Sequence, residues 1–253
     1  MLFLFVAAGF GLVVLAHTAP FPFLLEAVAP VRSVWRLPPR GGPTVYLTFD
    51  DGPNPEATPA LLDVLAREKA PATFFLIDRH LSAETAPIVR RMFEDGHAVA
   101  LHSHTRRLMI LRPAELAREL TDAANRIEQL AGHRPCPAFR PHGGWRSGQM
   151  YAGLARIDHA LVGWSWGLWD FNWYRTPNPI GLVNRLSQRV SDGDIIVIHD
   201  GHHANPRADR RYAIETAAII IPELRSRGFR FSTICEALGN GPAYADGVGE
   251  ATP

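Results

Sequence analysis

Between about residue 44 and residue 234, short apolar runs alternate with stretches whose apolar positions recur at helical spacing. The runs Thr44 to Phe49 (TVYLTF), Ala72 to Ile77 (ATFFLI), Ala98 to Leu101, Ala138 to Pro141, Ala160 to Trp166, Asp194 to Ile198 (DIIVI) and Phe229 to Thr233 predict strands. Between them, Thr58-Pro59 predict the N-cap and first residue of a helix running to about Lys69, and a helix from about Glu84 stops at Gly96. Pro113 to Ala131 reads as a long helix stopped by Gly132, Ser147 caps a helix to about Ile157, Asn178-Pro179 opens another, and a last one ends at Gly228. Strict alternation with short links implies parallel strands joined by right-handed crossovers, and hence a doubly wound sheet or a (β/α) barrel. No repeat or interior linker marks a second domain.

The ends differ from this middle. From Leu2 to Leu25 there is no charged side chain, and Leu2 to Ala16 is continuously apolar, the size of a signal-peptide core and short for a span of about 20 residues. Residues 1–25 are therefore expected to be a signal peptide or membrane anchor, placing the rest in the cell envelope. No Lys or Arg precedes the segment while Arg32, Arg36 and Arg40 follow it, which on the positive-inside rule argues for the opposite orientation. A buried N-terminal helix fits less well, because Pro20 and Pro22 follow at once. Residues 239–253 (GNGPAYADGVGEATP) are small, polar and turn-prone, and read as a loose tail.

Composition narrows the class. With 253 residues, 47% hydrophobic and 20% charged, the chain has enough apolar material for a substantial core, which excludes disorder as its main theme. Balanced charge, 26 Lys+Arg against 25 Asp+Glu, leaves no basic footprint for nucleic acid. The two cysteines, Cys136 and Cys235, are too few for a disulfide scaffold and lack zinc or redox spacing; they pair or are simply buried.

In parallel α/β folds functional groups gather at the carboxyl ends of the strands. Here those ends deliver Asp50-Asp51-Gly52-Pro53, His102-Ser103-His104, Arg140-Pro141-His142-Gly143-Gly144-Trp145, Trp166 followed by Trp169-Asp170, and His199-Asp200. A lone DDGP is commonly an acidic turn, and a tryptophan cluster is commonly core packing. Five strands ending in acid, imidazole, guanidinium or indole are harder to explain as turn chemistry. Asp and His converging from separate strands suit zinc, cobalt or manganese, which would acidify a water and polarise a carbonyl. Asp50 would accept that water's proton and a histidine across the pocket would protonate the leaving group, so the chemistry expected is metal-assisted hydrolysis of an ester or amide.

Thr48 to Pro53 (TFDDGP) resembles the first motif of the polysaccharide deacetylases, the NodB homology or carbohydrate esterase family 4 domain. In order, His102-Ser103 resembles the start of its H-[ST]-x-x-H motif, Phe139 to Trp145 its third motif, Trp166 to Trp173 its fourth, and Ile196 to Asp200 its fifth. The likeness spans about residues 44–237. It implies a distorted (β/α) barrel of about seven parallel strands, and removal of N- or O-acetyl groups from a carbohydrate polymer or conjugate, a reaction at carbon–nitrogen bonds of acetamido sugars. It also implies Asp50 as base, Asp51 and His102 as metal ligands, His199 as acid, Arg140 as the residue orienting Asp50, and Asp170 as the group tuning the catalytic histidine. Trp145, Trp166 and Trp173 would face the sugar, with core packing the competing account. Asp200 is expected to cap a turn. Zinc leads as the cofactor, ahead of cobalt and manganese.

One position departs from the family pattern. Its second metal histidine belongs four residues after His102, where this chain has Arg106, which has no lone pair to give. Either His142 or His104 replaces the missing nitrogen, or water does, or Arg106 pairs with Asp51 and the site is metal-free. Two readings thus stand, a deacetylase with a rebuilt ligand set and a non-catalytic glycan-binding protein on the same fold; retention of both Asp50 and His199 separates them. The partner in either case is a carbohydrate, with the membrane a second partner through residues 1–25. Among acetylated glycans the sequence makes no choice, and His202 and His203 in the loop after Asp200 read as substrate contacts, ligands or ordinary loop polarity.

Overall fold

The computed structural model describes residues 33–39, 41–167 and 178–239, together with Val6, Gly9 and Gly11. The rest of the expected leader, the tail beyond Gly239, and Trp169, Asp170 and Trp173 lie outside the described residues. Among those described, no helix is long and apolar enough to cross a membrane.

The strands are β1 (Ser33–Val34), β2 (Thr44–Gly52), β3 (Thr73–Ile77), β4 (Ala98–His102), β5 (Ala138–Arg140), β6 (Ala160–Val162), β7 (Trp166–Gly167), β8 (Ile195–His199) and β9 (Arg230–Phe231). They pair in parallel in the order β1-β6-β5-β4-β3-β2-β8-β7, with β9 added to the start of β2. The sheet curls until its ends meet. Residues 160–167 pair first with β5 and β1, then with β8; Gly163 N–H donates to Val34 O at 2.8 Å and Ser165 N–H to Ile195 O at 2.9 Å. Just after β1, Leu37 N–H donates to Gly193 O at 2.9 Å, bringing that edge to the start of β8. The result is a distorted (β/α) barrel, with the seven expected strands plus β1 and with the expected 160–166 strand divided at residues 163–165.

Helices α1 (Thr58–Arg67), α2 (Ala86–Glu94), α3 (Pro113–Ala131), α4 (Gly148–Ala155), α5 (Pro179–Ser187) and α6 (Arg211–Ser226) form the outer layer. Outward strand residues such as Leu47, Phe49, Phe74, Leu76, Phe139 and Ile198 pack against them in one large core. The predicted stops hold, with Gly132 at φ 75° ending α3 and Gly228 at φ 85° beyond α6. Ser147 and Asn178 cap α4 and α5, accepting from Met150 N–H and Gly181 N–H. Thr58 is not the cap of α1: it is the first residue of the helix and its hydroxyl is drawn away to Asp200.

A second cluster fills the barrel interior, from Tyr46, Phe75, Ala100, Ala138, Val162 and Ile195. Its amino end is plugged by a helix not expected from the sequence, α7 (Ile234–Gly239), through Ile234, Ala237 and Leu238. Cys235 on α7 is disulfide-bonded to Cys136, just before β5, so the plug is stapled to the barrel across a sequence separation of 99.

Candidate functional site

The strand register sets one rim. Asp50 stands opposite His199 in the β2–β8 pair, and His102 opposite Arg140 in the β4–β5 pair, so the expected acid, base, ligand and orienting residues share the carboxyl end of the barrel. The backbone is tightly fitted there. Asp51 has φ 69°, a conformation non-glycine residues seldom adopt, and its carbonyl is met by His80 Nδ1 at 3.2 Å. Gly201 approaches so closely that a Cβ would lie 1.9 Å from Asp51 O, which is why the chain carries glycine after Asp200.

Asp50 is fixed by Arg140. That guanidinium, fully buried, donates from Nη1 to Asp50 Oδ1 at 2.6 Å and to Thr48 Oγ1 at 2.8 Å. Nη2 donates to Gly163 O at 2.8 Å and Nε to Val162 O at 3.3 Å, while its carbon lies 3.9 Å from the centroid of the Phe75 ring. Planar, multiply held and desolvated, Arg140 gives Asp50 a single orientation.

Asp51 faces histidine nitrogens. His102 Nδ1–H donates to Arg140 O at 2.7 Å, which aims Nε2 at Asp51 Oδ1, 3.3 Å away. That buried carboxylate oxygen has no hydrogen-bond partner among the described residues. Burial works to raise the Asp51 pKa, but the close approach of His102 and the positive potential of His102, His199 and His142 hold it well below the usual carboxylate range. His142 completes the group: ligand atoms of Asp51, His102 and His142 all lie within 4.8 Å of one another. Burial, with help from His102, pushes His142 down to about 4, so its imidazole is neutral and has a lone pair to offer at neutral pH. The short turn His142–Gly144 places it, through positive φ at Gly143 and Gly144 and a 2.9 Å bond from His142 N–H to Ser103 Oγ. An orphaned buried carboxylate oxygen opposed by two imidazoles is a donor set that fits a borderline divalent cation.

The remaining expectations resolve unequally. His104, half-buried, is not part of this group. Arg106 does not pair with Asp51; exposed, it lies over the half-buried Trp145 ring with its guanidinium carbon 4.8 Å from the centroid. Trp166 is not on the rim: its indole N–H donates to Asp194 Oδ2 at 2.8 Å, at the amino end of β8, and it packs against the outer core. Asp170 and Trp173 lie outside the described residues.

Three contributors were not singled out in the sequence as acting on the site's geometry. His80 holds the Asp51 carbonyl. Asp200 does more than cap a turn: fully buried, it accepts from the Thr58 hydroxyl and lies against Gly52, and burial raises its pKa to about 7. His203 sets its ring against His142 with centroids 4.8 Å apart, while its carbonyl accepts from Arg79. The HD and HH pairs in the sequence were the only signal of Asp200 and His203, and His80 had none.

A parallel barrel whose rim holds an Asp–Arg pair, a potential cation site and a further histidine carries the groups expected of a hydrolase. The chain belongs to the polysaccharide deacetylase family, whose model matches residues 38–162. It is 30% identical over 205 residues to the peptidoglycan-N-acetylglucosamine deacetylase of Bacillus cereus, covering 81% of this chain and 92% of that protein. It is 36% identical over 196 residues to a chitooligosaccharide deacetylase of Sinorhizobium fredii, covering 75% and 89%. A family 4 acetyl xylan esterase from Clostridium thermocellum, solved with a cobalt ion, superimposes with a TM-score of 0.68 at 30% identity, over 78% of this chain and 90% of that one.

Proposed function

We propose that the chain removes acetyl groups from acetamido sugars of an exported glycan of the chitooligosaccharide or peptidoglycan type. The observation that carries this reading is the meeting, on one rim, of the Asp51–His102–His142 group with the Arg140-held Asp50 and with His199. Relatives with substantial identity act, by their names, on peptidoglycan and chitooligosaccharides, which supports the substrate class.

Asp51, His102 and His142 would hold a divalent cation, with His142 taking the place of the ligand that Arg106 cannot be. Such a cation supplies Lewis acidity to a carbonyl and to a water. Asp50, kept in one orientation by Arg140, takes the proton as the water oxygen adds to the acetamido carbon. His199, opposite Asp50 across the β2–β8 pair, delivers a proton to the nitrogen as the C–N bond breaks, leaving acetate and a free amine. The Cys136–Cys235 disulfide supports an oxidising location, in keeping with export.

The test is metal content together with acetate release from N-acetylated chito-oligosaccharides and peptidoglycan. The expected result is one zinc, cobalt or manganese per chain, chelator-sensitive acetate release, and loss of bound metal in His142→Ala but not in His104→Ala. A metal-free protein that releases no acetate after reloading, or metal binding unaffected by His142→Ala, refutes it.

A further inference from the structure

The rim contains a charge that the reaction does not use. Arg106 opens the short helical turn Arg106–Ile110 after β4 and is exposed. Its neighbour Arg107 is committed to Glu119 at 2.5 Å. Among the described residues Arg106 itself has no ion pair or hydrogen bond, and what it touches is the face of Trp145. Trp145 in turn belongs to the cation-site turn, donating its backbone N–H to His142 O at 3.2 Å. The guanidinium is therefore held over an indole plate three residues from a candidate ligand, with its in-plane donors unfilled.

No acid of the described rim is left over to neutralise it. Asp50 is paired with Arg140, Asp51 faces the two imidazoles, Asp78 is paired with Arg126, and Asp200 is buried beneath the Gly52 turn. Further positive charge borders the same pocket, since Arg79 reaches the backbone of His203. A neutral sugar gains little from such a surface, whereas an anion beside the scissile acetamido group would be both attracted and oriented. With Arg107 paired to Glu119 and Arg79 committed to the His203 carbonyl, Arg106 offers one open guanidinium fork, which matches one negative charge in a planar group better than a dianionic phosphate.

We propose that the preferred substrate is an acetamido sugar bearing a carboxylate substituent, and that Arg106, backed by Trp145, is the residue that selects it. This rests on the deacetylase reading above and adds the substrate's charge to it. The test compares zinc-loaded full-length protein on three substrates: a neutral chito-oligosaccharide, a glycan strand whose acetamido sugars carry ether-linked carboxylic acids, and a phosphate-bearing acetamido oligosaccharide. The expected result is a higher kcat/KM on the carboxylated glycan, with that preference over the neutral one falling about tenfold in Arg106→Gln and largely kept in Arg106→Lys. Calorimetry of the carboxylated glycan binding to wild type and Arg106→Gln reads the same contact without catalysis. A preference for the neutral or phosphorylated substrate, or a selectivity ratio and affinity unchanged by Arg106→Gln, overturns the proposal. Acetate release from none of the three, with Arg106-dependent binding intact, would instead sink the deacetylase reading and leave the carboxylate site standing.

Discussion

Replacing Arg140 with methionine isolates the contact on which the geometry of Asp50 depends. The variant keeps much of the side-chain volume over Phe75 but removes the partner of a carboxylate that is 2% exposed. It also strips donors from Thr48 Oγ1, Val162 O and Gly163 O. Breaking a buried ion pair from one side costs roughly 3–5 kcal/mol, because the stranded charge keeps its desolvation penalty. Against a total stability of about 5–15 kcal/mol that is a large fraction, and it should lower the urea midpoint by roughly 2 M. Arg140→Lys keeps the charge but not the planar fork, and should fall between the two. The discriminating variant is Asp50→Asn/Arg140→Met. With the stranded charge removed, it should be more stable than the sum of the single changes by about 2 kcal/mol. Urea unfolding followed by circular dichroism measures wild type, Arg140→Met, Arg140→Lys, Asp50→Asn and the double variant. A loss under about 1 kcal/mol for Arg140→Met, or strict additivity in the double variant, would refute the account of Arg140 as a desolvated clamp.

Other consequences are directly measurable. Removing the disulfide with Cys136→Ser/Cys235→Ser reopens a loop of separation 99, for which chain entropy alone gives about 4–5 kcal/mol; calorimetry with and without reductant should show the same loss in wild type and none in the variant. Gly201→Ala places a Cβ 1.9 Å from Asp51 O and should abolish zinc binding or folding, whereas Gly148→Ala, with nothing within 4 Å, should leave both intact. Buried His97 is pushed down to about 4 by desolvation, so it contributes stability above pH 6.5 that is lost as pH falls towards 4. Asp200, pushed up to about 7, acts in the opposite sense: its contribution is complete below about pH 3.8 and fades as pH rises through 7. His97→Asn, whose amide oxygen can still accept Ala72 N–H, should therefore flatten the acid loss of stability, and Asp200→Asn should steepen it.

The elements legible in the sequence were those encoded locally. The seven apolar runs became strands, and Gly132, Gly228, Ser147 and Asn178 act where their backbone chemistry requires. The strand-end residues were legible too, because parallel topology sends every carboxyl end to one rim. What escaped depends on contacts across the chain. Thr58 has the form of an N-cap, yet Asp200, 142 residues away, takes its hydroxyl. Trp166 lies in an aromatic run, yet Asp194 draws its indole to the other end of the barrel. His142 and His104 were indistinguishable by residue type; the Gly143-Gly144 turn and the Ser103 contact separate them. Nor does a six-residue helix ending in glycine advertise itself beside a loose tail, when what holds α7 is the interior of the barrel and a distant cysteine.

The pairing of Asp50 with His199 has an implication for how such a protein can diversify. Asp50 and His199, the proposed proton carriers, ride on adjacent strands bonded along five successive register pairs, so their separation is a property of the sheet. Arg106, His142 and Trp145, by contrast, stand on turns after β4 and β5, across the pocket. Selection acting on those turns can retune which sugar is gripped while the proton-handling pair stays in register. The price of such retuning falls on the seam between the halves, where Asp51 from one side meets His102 and His142 from the other, and a turn that shifts to suit a new sugar must still deliver its imidazole there.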